Sequence, residues 1–218
     1  MKKLNRERDF GTAVLSAMRR RAIREPVAAA VFPCSEGDNS LAVVKKIARS
    51  ACDGGKSVAV LDFSGQGVED SAFPELKKVK FSDMLDEKLE TSITGPSKGV
   101  LWVGMSDELE NTVVDMDPQN LKKLITRLEA SFDIICANGP SVLGGNMCEI
   151  VAEAFEQCYI VVRQEVTTQF QLHYAVHRFR RMGIEPAGLI MNDRRLPIPS
   201  WFYRMVFGNG GYSNNGYH

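Results

Sequence analysis

The chain has 218 residues, 27 basic and 27 acidic side chains, and 44% apolar residues. That length and apolar content suffice for one sizeable core, so a single domain is expected. Balanced charge removes any global electrostatic case for nucleic acid. Arg19, Arg20, Arg21 and Arg24 form a local basic cluster, read as a solvated helix face.

Five cysteines (Cys34, Cys52, Cys136, Cys148, Cys158) occur with no C-x-x-C pair, which suits a reducing compartment. No apolar run approaches the roughly 18 to 20 residues that span a bilayer. The opening M-K-K-L-N-R-E-R-D-F is too charged for a signal-peptide core. A cytoplasmic protein is expected, with any membrane association peripheral or through a partner.

Residues 1–25 read as one amphipathic helix, with Phe10, Val14, Ala17 and Met18 at helical spacing and Pro26 as the stop. Val27 to Phe32 is a buried-type strand. A turn bearing Pro33 and Gly37 follows, then a helix from Ser40 to Cys52 with Leu41, Val44, Ile47 and Ala48 on one face. Gly54-Gly55 ends it. The run S-V-A-V-L-D-F-S is a second strand, and the three elements fit in about 36 residues, as a right-handed βαβ unit does.

Gly65 to Pro74 is loop-like, and F-S-D-M-L-D-E-K-L reads as a short helix. The third strand is G-V-L-W-V-G-M. Asp117-Pro118 opens a helix through Leu121, Leu124, Ile125 and Leu128. The fourth strand is F-D-I-I-C-A-N-G-P. A helix through Ile150, Val151 and Phe155 leads to the strand C-Y-I-V-V-R. A helix from Thr167-Thr168 to Arg181-Met182 stops at Gly183, and A-G-L-I-M-N-D is the last strand.

Six apolar strands alternating with helices imply a three-layer α/β fold, a mainly parallel twisted sheet covered by helices on both faces. Ligands bind such sheets at the carboxyl ends of the strands. Those ends supply Cys34 to Asn39, Asp62 to Gln66, Asn138 to Pro140, and Asn192 to Arg195, which should converge on one site.

The first of these loops has the layout of a phosphate cradle, with strand, glycine turn and helix N-terminus in order. A working loop reads G-x-x-x-x-G-K-[ST]; here Gly37 is followed by Asp38 and Asn39. A carboxylate stands where the lysine should be.

Taken together, S-E-G-D-N-S-L-A-V-V-K-K-I-A, G-G-K-S-V-A-V-L-D, F-S-D-M-L, F-D-I-I-C-A-N-G-P-S-V-L, V-V-R-Q-E-V-T-T and R-R-M-G-I-E-P-A-G-L-I-M-N resemble, in order and spacing, the bacterial tyrosine kinase (BY-kinase) family. These are cytoplasmic ATPase domains of exopolysaccharide and capsule export machines, related to the MinD/ParA group of P-loop ATPases. The resemblance covers nearly the whole chain and implies a P-loop NTPase-like fold of the MinD/ParA type. It places the nucleotide pocket at Ser35, Glu36, Gly37, Asp38, Asn39, Ser40, Asp62, Asn138 and Asn192, with Asn192 against the base.

This chain departs from the family at the residues that matter. The phosphate lysine is Asp38, the magnesium hydroxyl is Asn39 with Ser40 one place late, and D-x-D-x-R reads Asp62, Phe63, Ser64, Gly65, Gln66. D-x-P-P reads Asn138, Gly139, Pro140, Ser141. An Asp38 carboxylate facing the terminal phosphates would repel them, by about 4 kcal/mol at 4 Å and an effective dielectric near 20. Phosphoryl transfer is mostly positioning and charge neutralisation. The expectation is therefore a catalytically degenerate member, a scaffold or regulator in exopolysaccharide or capsule biosynthesis and export. ATP, ADP and magnesium are disfavoured as ligands, and Asp62 is a weak catalytic candidate and more readily a structural acceptor.

The resemblance implies a membrane-embedded polysaccharide co-polymerase or export component as partner, and a homo-oligomeric ring as a further option. The family's E-x-x-R-x-x-R pattern is not reproduced between Asp9 and Arg21. Two alternatives stay open. One is an active but atypical ATPase or tyrosine kinase that uses Lys45, Lys46 or Lys56, or a partner's arginine, in place of the missing lysine. The other is a MinD/ParA-like positioning ATPase with an aromatic membrane foot.

His173 and His177 share a helix face with no third metal ligand evident, and no metal site is expected. The domain is taken as residues 1–207. The tail 208–218, rich in glycine and asparagine, is expected to be flexible. Tyr203, Tyr212 and Tyr217 are phosphorylation candidates by the same resemblance. The segment W-F-Y-R-M-V-F is expected to cover the sheet's edge or to contact a membrane or partner.

Overall fold

A computed structural model describes residues 2–22, 25–65, 67–73, 75–85, 99–104 and 117–193. Seven strands form one sheet: β1 (Val27–Pro33), β2 (Val58–Asp62), β3 (Leu76–Lys80), β4 (Val100–Gly104), β5 (Ile134–Asn138), β6 (Gln157–Arg163) and β7 (Gly188–Asn192). Their order across the sheet is β3-β4-β2-β5-β1-β6-β7, and every pairing is parallel. This is the expected three-layer α/β architecture.

Both faces of the central strands are covered, so β1, β2 and β5 are buried along their whole length and read as continuous apolar runs. One face packs on α1 (Lys2–Arg21) and α2 (Ser40–Asp53), through Met18, Val44 and Ile47. The opposite face packs on α3 (Phe81–Leu85), α4 (Pro118–Glu129), α5 (Met147–Ala154) and α6 (Gln169–Arg181), through Phe81, Leu124, Val151 and Phe179. Phe179 meets Phe32 of β1 edge-on, with ring centroids 5.2 Å apart.

Helix ends follow local chemistry. Asp117 caps α4, its carboxylate accepting from the backbone N–H groups of Gln119 and Asn120 at 2.6 and 2.9 Å, with Pro118 in the first turn. Thr168 and Gln171 form a capping box at the start of α6. Gly55, at a φ of +73°, takes the left-handed turn after α2.

The structure corrects three details of the sequence reading. The first helix ends at Arg21 rather than running to residue 25; its last-turn arginines sit where the helix dipole favours positive charge. Its end is also tied to β6, because the buried Gln157 amide donates to the Met18 carbonyl at 3.2 Å. Second, the helix before α6 spans only Met147–Ala154, and Phe155 caps it.

Third, the sheet has a seventh strand that the apolar pattern did not reveal. β3, L-K-K-V-K, lies at the sheet's edge, where one side needs no strand partner and lysines discourage further pairing. The expected helix at Phe81 is described only to Leu85, and the tail, with Tyr203, Tyr212 and Tyr217, lies outside the described residues.

Candidate functional site at the strand ends

Three of the four expected strand ends meet in one cleft of about 340 Å³. It is lined by Glu36, Asn39, Ser40, Phe63, Ser64, Asn138 and the segment Gly139–Ser141, with Gly144 and Gly145 closing one wall. Among the described lining residues none is lysine or arginine, and Glu36 carries the sole formal charge.

The loop after β1 reaches the cleft through a short 3-10 turn, Glu36–Asp38. Asn39 then adopts a left-handed conformation (φ 53°), one that asparagine tolerates better than most residues. Its side chain caps α2 by accepting from the Ala42 N–H at 3.2 Å. The asparagine in the metal-hydroxyl position is therefore the N-cap of the helix.

Asp38 does not face the cleft. Its side chain is fully buried and accepts four hydrogen bonds: from the Ser35 N–H at 2.6 Å, the Ser35 hydroxyl at 3.0 Å, the Arg163 N–H at 3.2 Å and the Thr167 hydroxyl. The repulsion foreseen between this carboxylate and a phosphate assumed that it pointed outward. It points instead toward the end of β6, because that is where the donors are. A buried carboxylate so satisfied is a structural tie between two loops.

Asp62 and Asn138 end adjacent strands and are register partners. The Ser40 hydroxyl donates to Asn138 Oδ1 at 2.7 Å, and Asn138 Nδ2 donates to Asp62 Oδ1 at 2.8 Å. Asp62 also accepts from the Ser64 N–H at 3.0 Å and hydroxyl at 2.7 Å, and from the Gly67 N–H at 3.2 Å. All three side chains are buried. An aspartate at position 138 would set two carboxylates side by side and call for a cation; the amide removes that requirement.

Asn192 is also buried but does not line the cleft. Its amide nitrogen donates to the Asp38 and Asn39 carbonyls at 3.4 and 3.2 Å, bracing the loop from behind. Lys46 reaches the Asn192 oxygen at 3.5 Å and lies 5.1 Å from the Phe10 ring centroid. Lys56 is 2.8 Å from Asp133, at the opposite end of the sheet from the cleft. Neither lysine lines the cleft.

Three further residues complete the site, two of which, Thr167 and Arg178, carry no sequence signal for it. Thr167 was read as a helix start, yet its hydroxyl holds Asp38. Arg178 donates to the carbonyls of Val142 and Gly144 at 2.7 and 2.8 Å, and of Gly145 at 3.1 Å, which fixes the far wall. Gly139 is needed for close approach, since a Cβ there would lie 2.4 Å from the Phe32 ring.

Cys34 is buried beside the loop; burial, reinforced by Asp38, pushes its thiol up to about 11, so it stays protonated at neutral pH. His173 and His177 lie on α6, away from this cleft, and no group of three or more metal-ligating side chains occurs among the described residues.

No protein-family model matches the chain, and neither does any curated protein. Solved structures do. The BceF tyrosine kinase domain aligns over 85% of this chain and 75% of its own, at a TM-score of 0.65 and 19% identity. The kinase domain of the Escherichia coli tyrosine kinase Etk aligns over 79% and 71%, at 0.60 and 14%. MinD from Pyrococcus horikoshii, solved with Mg-ADP, aligns over 82% and 76%, at 0.56 and 19%. The chain has the fold of the bacterial tyrosine kinase domains and of the MinD/ParA P-loop ATPases.

Proposed function

We propose that this chain is a catalytically degenerate BY-kinase-like protein that serves as a scaffold or regulator in exopolysaccharide or capsule biosynthesis and export. The observation that carries the reading is Asp38: the residue in the phosphate-lysine position is turned inward and fully engaged by four internal donors. Asp62 and Asn138 are similarly committed to each other and to Ser40 and Ser64. Magnesium-nucleotide chemistry needs free carboxylate oxygens and a cation facing the phosphates. The residues present do not fit that group, and no catalytic step is assigned to them.

In this reading the protein works at the cytoplasmic face of the membrane, held by a membrane-embedded polysaccharide co-polymerase or export component, alone or in a ring of like subunits. No helix among the described residues is long and apolar enough to cross a membrane.

Calorimetric titration with Mg-ATP and Mg-ADP tests the degenerate site. The expected result is no heat of binding at micromolar nucleotide, a level corresponding to about 8 kcal/mol of binding free energy. Micromolar binding with turnover overturns the reading. Deleting the gene from a polymer-producing strain should change the amount or chain length of the polymer; an unchanged polymer removes the pathway assignment.

A further inference from the structure

The outer face of α6 carries two large aromatic residues toward its N-terminal end. Phe170 is 79% exposed and Tyr174 54%, one helical turn apart, with Val166 just ahead of the helix at 42%. Together with His173 and His177 these aromatic residues border a depression of about 680 Å³. The helix buries its opposite side, through Ala175 and Phe179.

Beside α6 the sheet edge is also uncovered. Leu189 and Met191 of β7 are 52% and 51% exposed, while Ile190 between them is buried on the other face. They pair in register with Ile160 and Val162 of β6, which belong to the core beneath α4, α5 and α6. The apolar floor of that core thus continues onto β7 without a described helix above it. Exposed apolar groups of this size mark an interface.

We infer that the occupant is this chain's own segment 197–207, P-I-P-S-W-F-Y-R-M-V-F, which lies outside the described residues. Its starting point supports this. The described chain leaves β7 at Asn192–Asp193, at the same end of the sheet as the entry to α6, because β6 and β7 are parallel. Trp201 lies eight Cα steps beyond Asp193, a reach of up to about 26 Å. The exposed stripe from Phe170 to His177 rises only about 10 Å along the helix.

Its composition fits as well. Trp201, Phe202, Tyr203, Met205, Val206 and Phe207 are an apolar set with one cation, Arg204, and no carboxylate. Large aromatic groups gain most from such a surface. Docking also sorts the tail tyrosines: Tyr203 is covered, whereas Tyr212 and Tyr217 lie beyond the docked segment and stay open to modification.

Trp201 makes the test direct, since the only other tryptophan, Trp102, is 2% exposed and closed to iodide. Iodide quenching of the 218-residue chain should be weak. Phe170→Ser with Tyr174→Ser should raise it several-fold while leaving the circular dichroism of the folded domain unchanged, because neither side chain belongs to the core. Removal of residues 197–218 should raise binding of an apolar dye. Strong quenching in the wild type, or quenching insensitive to the α6 substitutions, overturns the inference. So does protection of Trp201 that disappears on dilution, which would assign the segment to a second copy. Protection that appears only with anionic phospholipid vesicles would assign it to a membrane and overturns it equally.

Discussion

The Thr167 hydroxyl donates to the Asp38 carboxylate, joining the loop after β1 to the loop after β6 on the side away from the cleft. Asp38 is thereby part of the loop's internal support. Restoring the missing lysine is then expected to fail for a structural reason. Asp38→Lys would put a buried ammonium against two backbone N–H donors with no carboxylate to pair it, or drive the loop open, at a cost of about 3–5 kcal/mol. Asp38→Asn, which keeps the shape and half the acceptor capacity, should cost about 1–3 kcal/mol. Urea denaturation gives both values, and the lysine variant should remain silent to Mg-ATP. A stable Asp38→Lys protein that binds nucleotide would refute this view of the loop.

Asn138 sits between the Ser40 hydroxyl and the Asp62 carboxylate. Asn138→Asp places two carboxyl groups about 3 Å apart, which raises the pKa of one of them in the folded state. A raised folded pKa means stability lost as pH climbs above the unfolded value of about 4. The variant should therefore match the wild type near pH 4 and fall about 1–3 kcal/mol below it at pH 7. Chemical denaturation at the two pH values decides the matter; a deficit independent of pH would point to lost packing instead.

At the opposite end of the sheet, Asp133 accepts from Lys56 at 2.8 Å and from the Ser57 N–H and hydroxyl, both at 2.9 Å. The Lys56 hydrogen bond first, then that from the Ser57 backbone, lower its carboxyl to about 2. With a depressed folded pKa, the stabilisation is complete above the unfolded pKa near 4 and is lost as pH falls toward 2. The side chain is 37% exposed, so solvent screening limits the effect to about 1 kcal/mol. Asp133→Asn should flatten the stability profile between pH 4 and pH 2, as followed by thermal melts across that range. An unchanged acid limb would show that the pair contributes nothing.

Gly11 of α1 lies against the backbone of α2, where an added Cβ would meet the Lys46 carbonyl oxygen at 2.3 Å. Gly11→Ala gains helix propensity of about 1 kcal/mol. It also wedges two helices apart against a backbone atom that cannot rotate away, and overpacking of this kind costs about 1–3 kcal/mol. The net expectation is destabilisation, with faster amide exchange along α1 than along the sheet. Exchange unchanged in α1 would mean that the contact is readily relieved.

The central strands were legible in the sequence because both their faces are buried, so V-A-A-A-V-F and V-A-V-L-D carry no polar interruption. β3 was not legible, because an edge strand of three lysines gains its place by pairing with β4 rather than by burying side chains. The same contrast holds at the site. Asp62 and Asn138 could be placed together in advance, since each ends a strand and strand ends of a parallel sheet share one edge. Thr167 and Arg178 were passed over, since a threonine opening a helix and an arginine within one carry ordinary local roles. Their other role depends on partners that arrive from β1 and β5.

The sequence by itself determined the α/β layering, the convergence of the strand ends and the presence of Asp38 where a lysine would be required. Those follow from apolar periodicity and from residue identity, which are local properties of the chain. Only the tertiary structure decided which way Asp38 points. Ser35 holds Oδ2 locally, but Oδ1 is satisfied by Arg163 and Thr167, 125 and 129 residues further along. A buried carboxylate goes where its donors are, and folding alone brings those donors together.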